Sequence, residues 1–458
     1  MITPRLPVDM NTILITVDAL RADHLKQYGY HRDTIPTLDR LCESGVVFTH
    51  AFANAPYTRV SVPALHTSAR LAHTQLASLP TISSELGSTG MTTACLGTRT
   101  GFKSAEGDLK FDQYVALGRD EYYRESNSSN RALTQIKDRV MSTVSGLTES
   151  HTSIQRLTQI VYDSFPTLAF RYKGYTSAKE VTDKAITWLN QNSHEDFFIW
   201  LHYMEGHRPY GVHVDVPEYT TSISNERIRT LMKKAGTTPD TVTTEERELL
   251  VDLYDSDLRY FSDQFERLLD TLDELNLRSN SNLIFTSDHG EEFYDHGEYF
   301  HRNLPYDTNI QVPLIIDSPA VERSKITSQR ELIDIAPTVL NLHDQEPPET
   351  FEGIDLFSDT PRKIISTGSQ RHPDPTIAVR WKKYKYIYTP RQEYLYNLAD
   401  DPSESQNLAT DRPNIRAEYR RTIPERYFNK NIQANLREPE DEIDRERLEA
   451  LGYLETKD

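Results

Sequence analysis

Five short runs of consecutive apolar residues, rich in β-branched side chains, punctuate the chain at 12–17, 92–96, 197–202, 282–286 and 312–316. None shows the polar alternation of a strand with one wet face, so each reads as a strand buried on both faces, as in parallel sheets. Between them, apolar residues recur at helical spacing: over 37–44 just after Pro36, over 178–190, and along an amphipathic stretch within 245–275. Strands alternating with helices predict an α/β fold, a mostly parallel central sheet flanked by helices. Such sheets bind ligands outside the carboxyl ends of their strands. Asp18 and Asp288 each stand just past such an end.

Two regions break the rhythm. Residues 120–173 are irregular, with the loop signal Ser126-Asn127-Ser128-Ser129-Asn130, and read as an insertion that covers the site. Beyond about 355 the chain turns to a Trp-, Lys- and Tyr-rich strand pair (378–388, 394–398) and then to polar helices rich in Arg and Glu. The expected organisation is a catalytic α/β domain over 1–358. A smaller antiparallel-sheet subdomain with a helical tail follows over 359–458.

Composition narrows the function. The 458 residues carry 69 Asp and Glu against 51 Lys and Arg, a formal net charge of -18. So acidic a surface repels nucleic acid and anionic membrane, and neither is an expected partner. Only 16 of the 51 basic residues are lysines. Acid excess with few lysines suits a protein that stays soluble at high salt, and equally an ordinary acidic enzyme. Cys42 and Cys95 have neither a metal-ligand spacing nor the numbers of a disulfide framework, and two buried free thiols are expected. No apolar run approaches the roughly 18 residues of a membrane span, and the first residues lack an apolar signal region. The simplest expected location is the cytoplasm; the pattern carries no sign of oligomeric state.

Five segments carry candidate chemistry. In Thr286-Ser287-Asp288-His289-Gly290-Glu291 a carboxylate and an imidazole sit side by side in a turn after a buried strand. That pair suits one divalent ion, Mn²⁺, Zn²⁺ or Mg²⁺, and Ca²⁺ less obviously because it prefers oxygen ligands. Asp18 ends the first strand; it reads as a helix cap or as a second ligand converging on the same ion. In Pro56-Tyr57-Thr58-Arg59-Val60-Ser61, the hydroxyls of Thr58 and Ser61 open a predicted helix. That place offers an anion free N–H groups and a positive dipole end, and it can equally be simple capping. A hydroxyl there beside a metal can become a nucleophile, and Arg59 can neutralise ester oxygens. His207, past the 197–202 strand, and His301, in the loop after Asp288, read as surface loop histidines or as groups that bind an anion and protonate a leaving group.

In order along the chain these segments resemble the sulfatase family of the alkaline-phosphatase superfamily. The resemblance rests on ILITVDALRADHLKQYGY and TIPTLDRLCESGVVFTHAFA near the start, FFIWLHYMEGHRPY, LIFTSDHGEEFYDHGEYFH followed by VPLIIDSP, then DIAPTVLNL and EYLYNLADDPSESQNLA. It spans nearly the whole chain except 120–173. It implies an alkaline-phosphatase-like fold and a small-molecule or glycan sulfate or phosphate ester as substrate. It implies one divalent metal held by Asp18, Asp288 and His289 with Thr58 completing the shell, and His207 and His301 as contacts to the anion or leaving group. Two departures stand out. The family's second acid after the first strand is Ala19 here. The family's Cys/Ser-x-Pro-x-Arg motif, whose first residue becomes formylglycine, aligns with Thr58, Val60 and Val62. Threonine cannot form that aldehyde, so a Thr58 alkoxide would attack the ester directly. Relatives with a threonine there resemble phosphodiesterases and phosphoglycerol transferases. Sulfate-ester hydrolysis, phosphoryl transfer through Thr58, and a pseudoenzyme that only binds anions therefore all remain open at this point.

Overall fold

The computed structural model describes residues 10–97, 103–104, 107–117, 176–214, 216–301, 304–368 and 375–428. The expected insertion at 120–173, and the tail beyond 428, lie outside the described residues. Nine strands of the described chain form the main sheet: β1 (Asn11–Val17), β2 (Val46–Phe52), β3 (Thr92–Gly97), β4 (Gln113–Ala116), β5 (Phe197–Tyr203), β6 (Ser281–Thr286), β7 (Gln311–Asp317), β8 (Ser324–Ile326) and β9 (Arg330–Glu331). They lie in the order β8-β2-β7-β6-β1-β5-β3-β4, with β9 also pairing with β2. The centre is parallel: β1 pairs with β5 and β6, and β3 with β5 and β4. The run at 312–316, expected as one more strand of that kind, is β7 and runs antiparallel to β6 and β2. A parallel return needs a crossover. The 287–310 connection instead turns back at the carboxyl end of β6, with only the single-turn helix Asp307–Ile310.

Period-two alternation on the strands sorts the core into two layers. Ile13, Ile15 and Val17 of β1 face a cluster that includes Val181 and Leu189 of one helix (Ala178–Asn192) and Leu258, Phe261 and Phe265 of another (Thr244–Glu274). That second helix is the long amphipathic stretch; Thr243 and Glu246 close a capping box at its start, satisfying two terminal N–H groups. Leu14 of β1 and Trp200 of β5 face the other layer, with Val62 and Leu65 of helix Thr58–Thr67 and Val339 of helix Ile335–Leu342. The 37–44 helix is trimmed to Leu38–Cys42. Both cysteines are free; Cys95 is buried, but Cys42, at the solvent-side end of its short helix, is only half-buried.

The expected C-terminal strand pair is a four-stranded antiparallel sheet, Ile364–Thr367, Ile377–Trp381, Tyr384–Tyr388 and Glu393–Asn397. It hooks onto the segment just before Thr58. Thr367 N–H donates to the Asn54 carbonyl (2.8 Å), Asn54 Nδ2 donates to the Ile365 carbonyl (3.1 Å), and Ser366 Oγ donates to the Ala53 carbonyl (2.5 Å). A fully buried Lys385 reaches Asp307 at 2.7 Å and Glu404 at 2.8 Å, joining the sheet to the 287–310 connection. Among the described residues no helix is long and apolar enough to cross a membrane.

The loop after β5 presses on the loop after β1. A Cβ at Gly206 would lie 2.3 Å from the Asp18 carbonyl oxygen, which is rigid backbone. Gly206→Ala should therefore destabilise the protein by about 1–3 kcal/mol through overpacking. It should also disturb Asp18 and His207 together. Thermal unfolding checks the first effect, and an unchanged melting temperature would refute it.

Candidate active site and metal centre

Register brings the first two acids together. Thr16 is the partner of Thr286 across β1 and β6, so the residues that follow leave the same sheet edge side by side. Backbone bonds then lock the two exits. Leu20 N–H donates to Ser287 Oγ (2.9 Å), Ser287 Oγ donates to the Val17 carbonyl (2.7 Å), and Ala19 N–H donates to Asp288 Oδ1 (3.3 Å). Ala19 sits in the left-handed region at φ 58, which turns its N–H toward the acid. His289 follows in the turn; its Nδ1 donates to the Gly290 carbonyl (2.8 Å), so Nε2 faces inward. One ligand atom from each of Asp18, Asp288 and His289 lies within 4.8 Å of the others, and all three side chains are buried.

Thr58 enters from the opposite side. It begins its helix after the extended Tyr57, which makes no side-chain cap bond. Its Oγ1 lies 3.4 Å from Asp18 Oδ2 and 3.2 Å from His289 Nε2. Ser61, one turn on, is occupied elsewhere: its Oγ donates to the Asp288 backbone carbonyl at 2.5 Å. The two hydroxyls thus separate as attacking-group candidate and brace. Arg59 follows Thr58 at the head of the helix and is half-buried. Val60 and Val62, where the formylglycine motif has Pro and Arg, are buried among apolar side chains.

His207 and His301 are buried and complete the cluster; the His301 ring is 4.5 Å from that of His289 and 5.1 Å from that of His207. His207 Nδ1 donates to the Arg208 carbonyl at 2.6 Å, which fixes the ring orientation. His301 Nδ1 is 3.3 Å from Glu291 Oε1, and Glu291 accepts a further bond from Tyr210 OH at 2.7 Å. The sequence reading missed Glu291 as the partner of His301, and Arg208, whose buried guanidinium lies 4.7 Å over the Phe300 ring. It also left out His202, whose Nε2 lies 3.5 Å from Asp18 Oδ2. A period-two reading of 197–203 could have found His202, since it shares a strand face with Trp200.

The electrostatics are those of a cation site. Burial pushes the Asp18 carboxyl up, but His207, His202 and His289 outweigh it and hold Asp18 well below the usual carboxylate range. Burial and then the Asp18 charge push Asp288 up. The imidazole of His289 is raised by Asp288 and Asp18 despite its burial. The residues fit a divalent metal. Asp18 Oδ1 and Asp288 Oδ2 have no hydrogen-bond partner among the described residues. His289 Nε2 stands 3.4 Å from the first and 3.6 Å from the second. Donors bonded to one ion at about 2.1 Å are spaced by close to such separations.

Fold and site together are those of the alkaline-phosphatase superfamily, with a buried Asp-Asp-His group at the strand ends that could hold a metal ion. The chain belongs to the sulfatase family, whose model matches residues 10–344. It is 24% identical to an arylsulfatase of Clostridium perfringens over 440 residues, 87% of this chain and 90% of that protein. It is 26% identical to a choline-sulfatase of Rhizobium meliloti over 34% of this chain and 32% of that protein. With an uncharacterized sulfatase of Escherichia coli, YidJ, the match is 26% over about half of each chain, 52%. The chain thus spans about a third of the length of the first of these last two and about half of the second. Among solved structures it is similar to a 2-O GAG sulfatase (TM-score 0.65, 18% identity, 90% of each chain). It is also similar to a phosphonate monoester hydrolase of Agrobacterium radiobacter (TM-score 0.64, 17% identity, 90% of this chain and 94% of that one).

Metal removal should expose the carboxylate pair. Without a cation the raised Asp288 holds its proton in the folded state at a pH where the unfolded chain, with its aspartate near 3.9, has lost it. Stability of the chelated protein should then fall as pH rises from about 4 toward neutrality. Saturating Mn²⁺ should restore roughly 2.7 kcal/mol at a hundred times its Kd. Calorimetry with and without chelator measures this; a melting temperature indifferent to both would argue against the site.

Proposed function

We propose that the chain is a metal-dependent hydrolase of sulfate esters that uses the Thr58 hydroxyl as its attacking group. The observation that supports this most directly is the position of Thr58 Oγ1 between Asp18 and His289, in a chain of the sulfatase family. Asp18, Asp288, His289 and Thr58 would hold one divalent ion, which supplies Lewis acidity to lower the hydroxyl pKa and to neutralise ester oxygens. The helix that starts at Thr58 turns its positive end toward the same anion. Thr58 Oγ bonds to sulfur as the ester S–O bond breaks, and His301 gives the departing alcohol its proton. Water then attacks the same sulfur, sulfate leaves, and the Thr58 hydroxyl is restored. His207 and Arg59 meet the remaining sulfate oxygens. His301 is suited to a proton-transfer role because Glu291 holds its Nδ1 side, which orients the ring.

A second reading, phosphoryl transfer or phosphoester hydrolysis, is favoured by one observation. The reacting position is an ordinary alcohol and cannot release its product by collapse to an aldehyde. A threonyl phosphate can be discharged by water or by an acceptor alcohol through the same two displacements. The pseudoenzyme reading is disfavoured by the assembled acids and by the hydroxyl aimed between them.

Purified protein assayed on matched nitrophenyl sulfate, phosphate and phosphodiester substrates, with Mn²⁺, Zn²⁺, Mg²⁺ and Ca²⁺ in turn, should turn over the sulfate best. A preference for a phosphorus ester would select the second reading, and no turnover with any metal would select the pseudoenzyme. Thr58→Ala should abolish turnover while Thr58→Ser keeps part of it. Mapping a trapped slow ester should mark the Thr58 peptide; a label on Ser61 would overturn the assignment. His301→Ala should slow turnover by roughly 10²–10⁴-fold if it is the general acid, with much smaller loss on substrates whose leaving group needs no proton.

A further inference from the structure

We infer that His202 is a positioning residue for the metal centre. Its Nε2–H faces the outer oxygen of Asp18 and leaves the inner oxygen to the cation, with the tautomer set by Thr16 and Trp200. This rests on the metal site proposed above.

The argument starts in the sheet. Thr16 and His202 are paired across β1 and β5, and Trp200 is two residues before His202, so all three side chains emerge on one face, as does Asp18. Trp200 Nε1 can only donate, and it donates to Thr16 Oγ1 at 2.9 Å. The Thr16 hydroxyl must then place its own proton. The Leu201 carbonyl is 3.5 Å away, at the edge of hydrogen bonding, whereas His202 Nδ1 is at 2.7 Å. The proton therefore goes to Nδ1, and the ring hydrogen sits on Nε2.

That nitrogen is buried, has no hydrogen-bond partner within the described residues, and points at Asp18 Oδ2 across 3.5 Å. The two oxygens of Asp18 are thereby made unequal. Oδ2 faces His202 and Thr58, and Oδ1 faces His289 Nε2 at 3.4 Å. With the carboxylate drawn toward a cation and His202 behind it, the plane of Asp18 is set before the ion arrives. The polar groups facing His202 include Thr16 of β1, Asp18 just past its end, Trp200 from its own strand and the Asp288 carboxylate. The uncharged His66 ring also packs on Trp200 from the Thr58–Thr67 helix, at 4.5 Å. Partners behind metal ligands typically matter 10–100-fold in metal affinity.

The test is metal binding by the full chain, read by competition between protein and a fluorescent chelator for Mn²⁺, alongside the melting temperature of the metal-free protein. His202→Leu should weaken Mn²⁺ binding by roughly 10–100-fold. His202→Gln, whose amide N–H can reach the place of Nε2–H, should recover most of it. Thr16→Val keeps the shape but removes the proton donor to Nδ1, and should fall between the two. If His202→Leu does not fold, His202→Gln and Thr16→Val decide the matter. Wild-type affinity in Thr16→Val and His202→Leu, or equal loss in the Gln and Leu variants, overturns the inference. A wild-type chain that binds no Mn²⁺ at all would instead sink the metal site on which the inference rests.

Discussion

Two carboxylates buried at neighbouring strand ends repel each other, and most of what surrounds them answers that repulsion. Asp18 and Asp288 leave adjacent parallel strands in register, so neither can move away without breaking the sheet. Serine and backbone N–H groups tie the two exits together. Three imidazoles, His202, His207 and His289, hold Asp18 ionised, and that charge pushes Asp288 up. A centre of this kind is strained when empty and relieved by a cation, so the same residues supply both the cost of the apo state and the affinity of the filled one. Thr58, His207 and His301 are gathered around this pair.

Departures from the family pattern fall at positions that the core and the main chain occupy. Val60 and Val62 are core residues, packed where the formylglycine motif carries Pro and Arg. Ala19 has no side chain to offer as a ligand, yet its left-handed backbone turns an N–H to Asp288, so the position still serves the centre through the main chain.

How much of this could be read from the chain alone depended on the range of the signal. The parallel core was legible because its strands are continuous apolar runs, and the candidate ligands stand one to three residues past two of those runs. The direction of β7 was not, because an apolar run looks the same whichever way it is traversed; only the connection before it, with no crossover helix longer than one turn among the described residues, decides. Strand β2 went unnoticed since Thr49 and His50 interrupt its apolar residues where the ladder to β7 is irregular. Thr58 was singled out by the resemblance alone, and the structure places its hydroxyl 3.4 Å from Asp18. Glu291 and His202 were missed as partners for one reason. Their roles exist only through contacts with residues ten and 184 positions away, to His301 and Asp18, which no local pattern encodes.

The stitching of Ala53 and Asn54 to the strand Ile364–Thr367 has a consequence for the order of biosynthesis. Every ligand and every candidate catalytic group has left the ribosome once residue 301 is out, yet the segment leading into Thr58 is still missing its outer partner. The nascent chain at that stage holds all of its chemistry and lacks the clamp that aims it. Competence therefore arrives late, with the final quarter of translation. A chain stalled or clipped before that strand would carry a complete set of reactive groups without the alignment to use them.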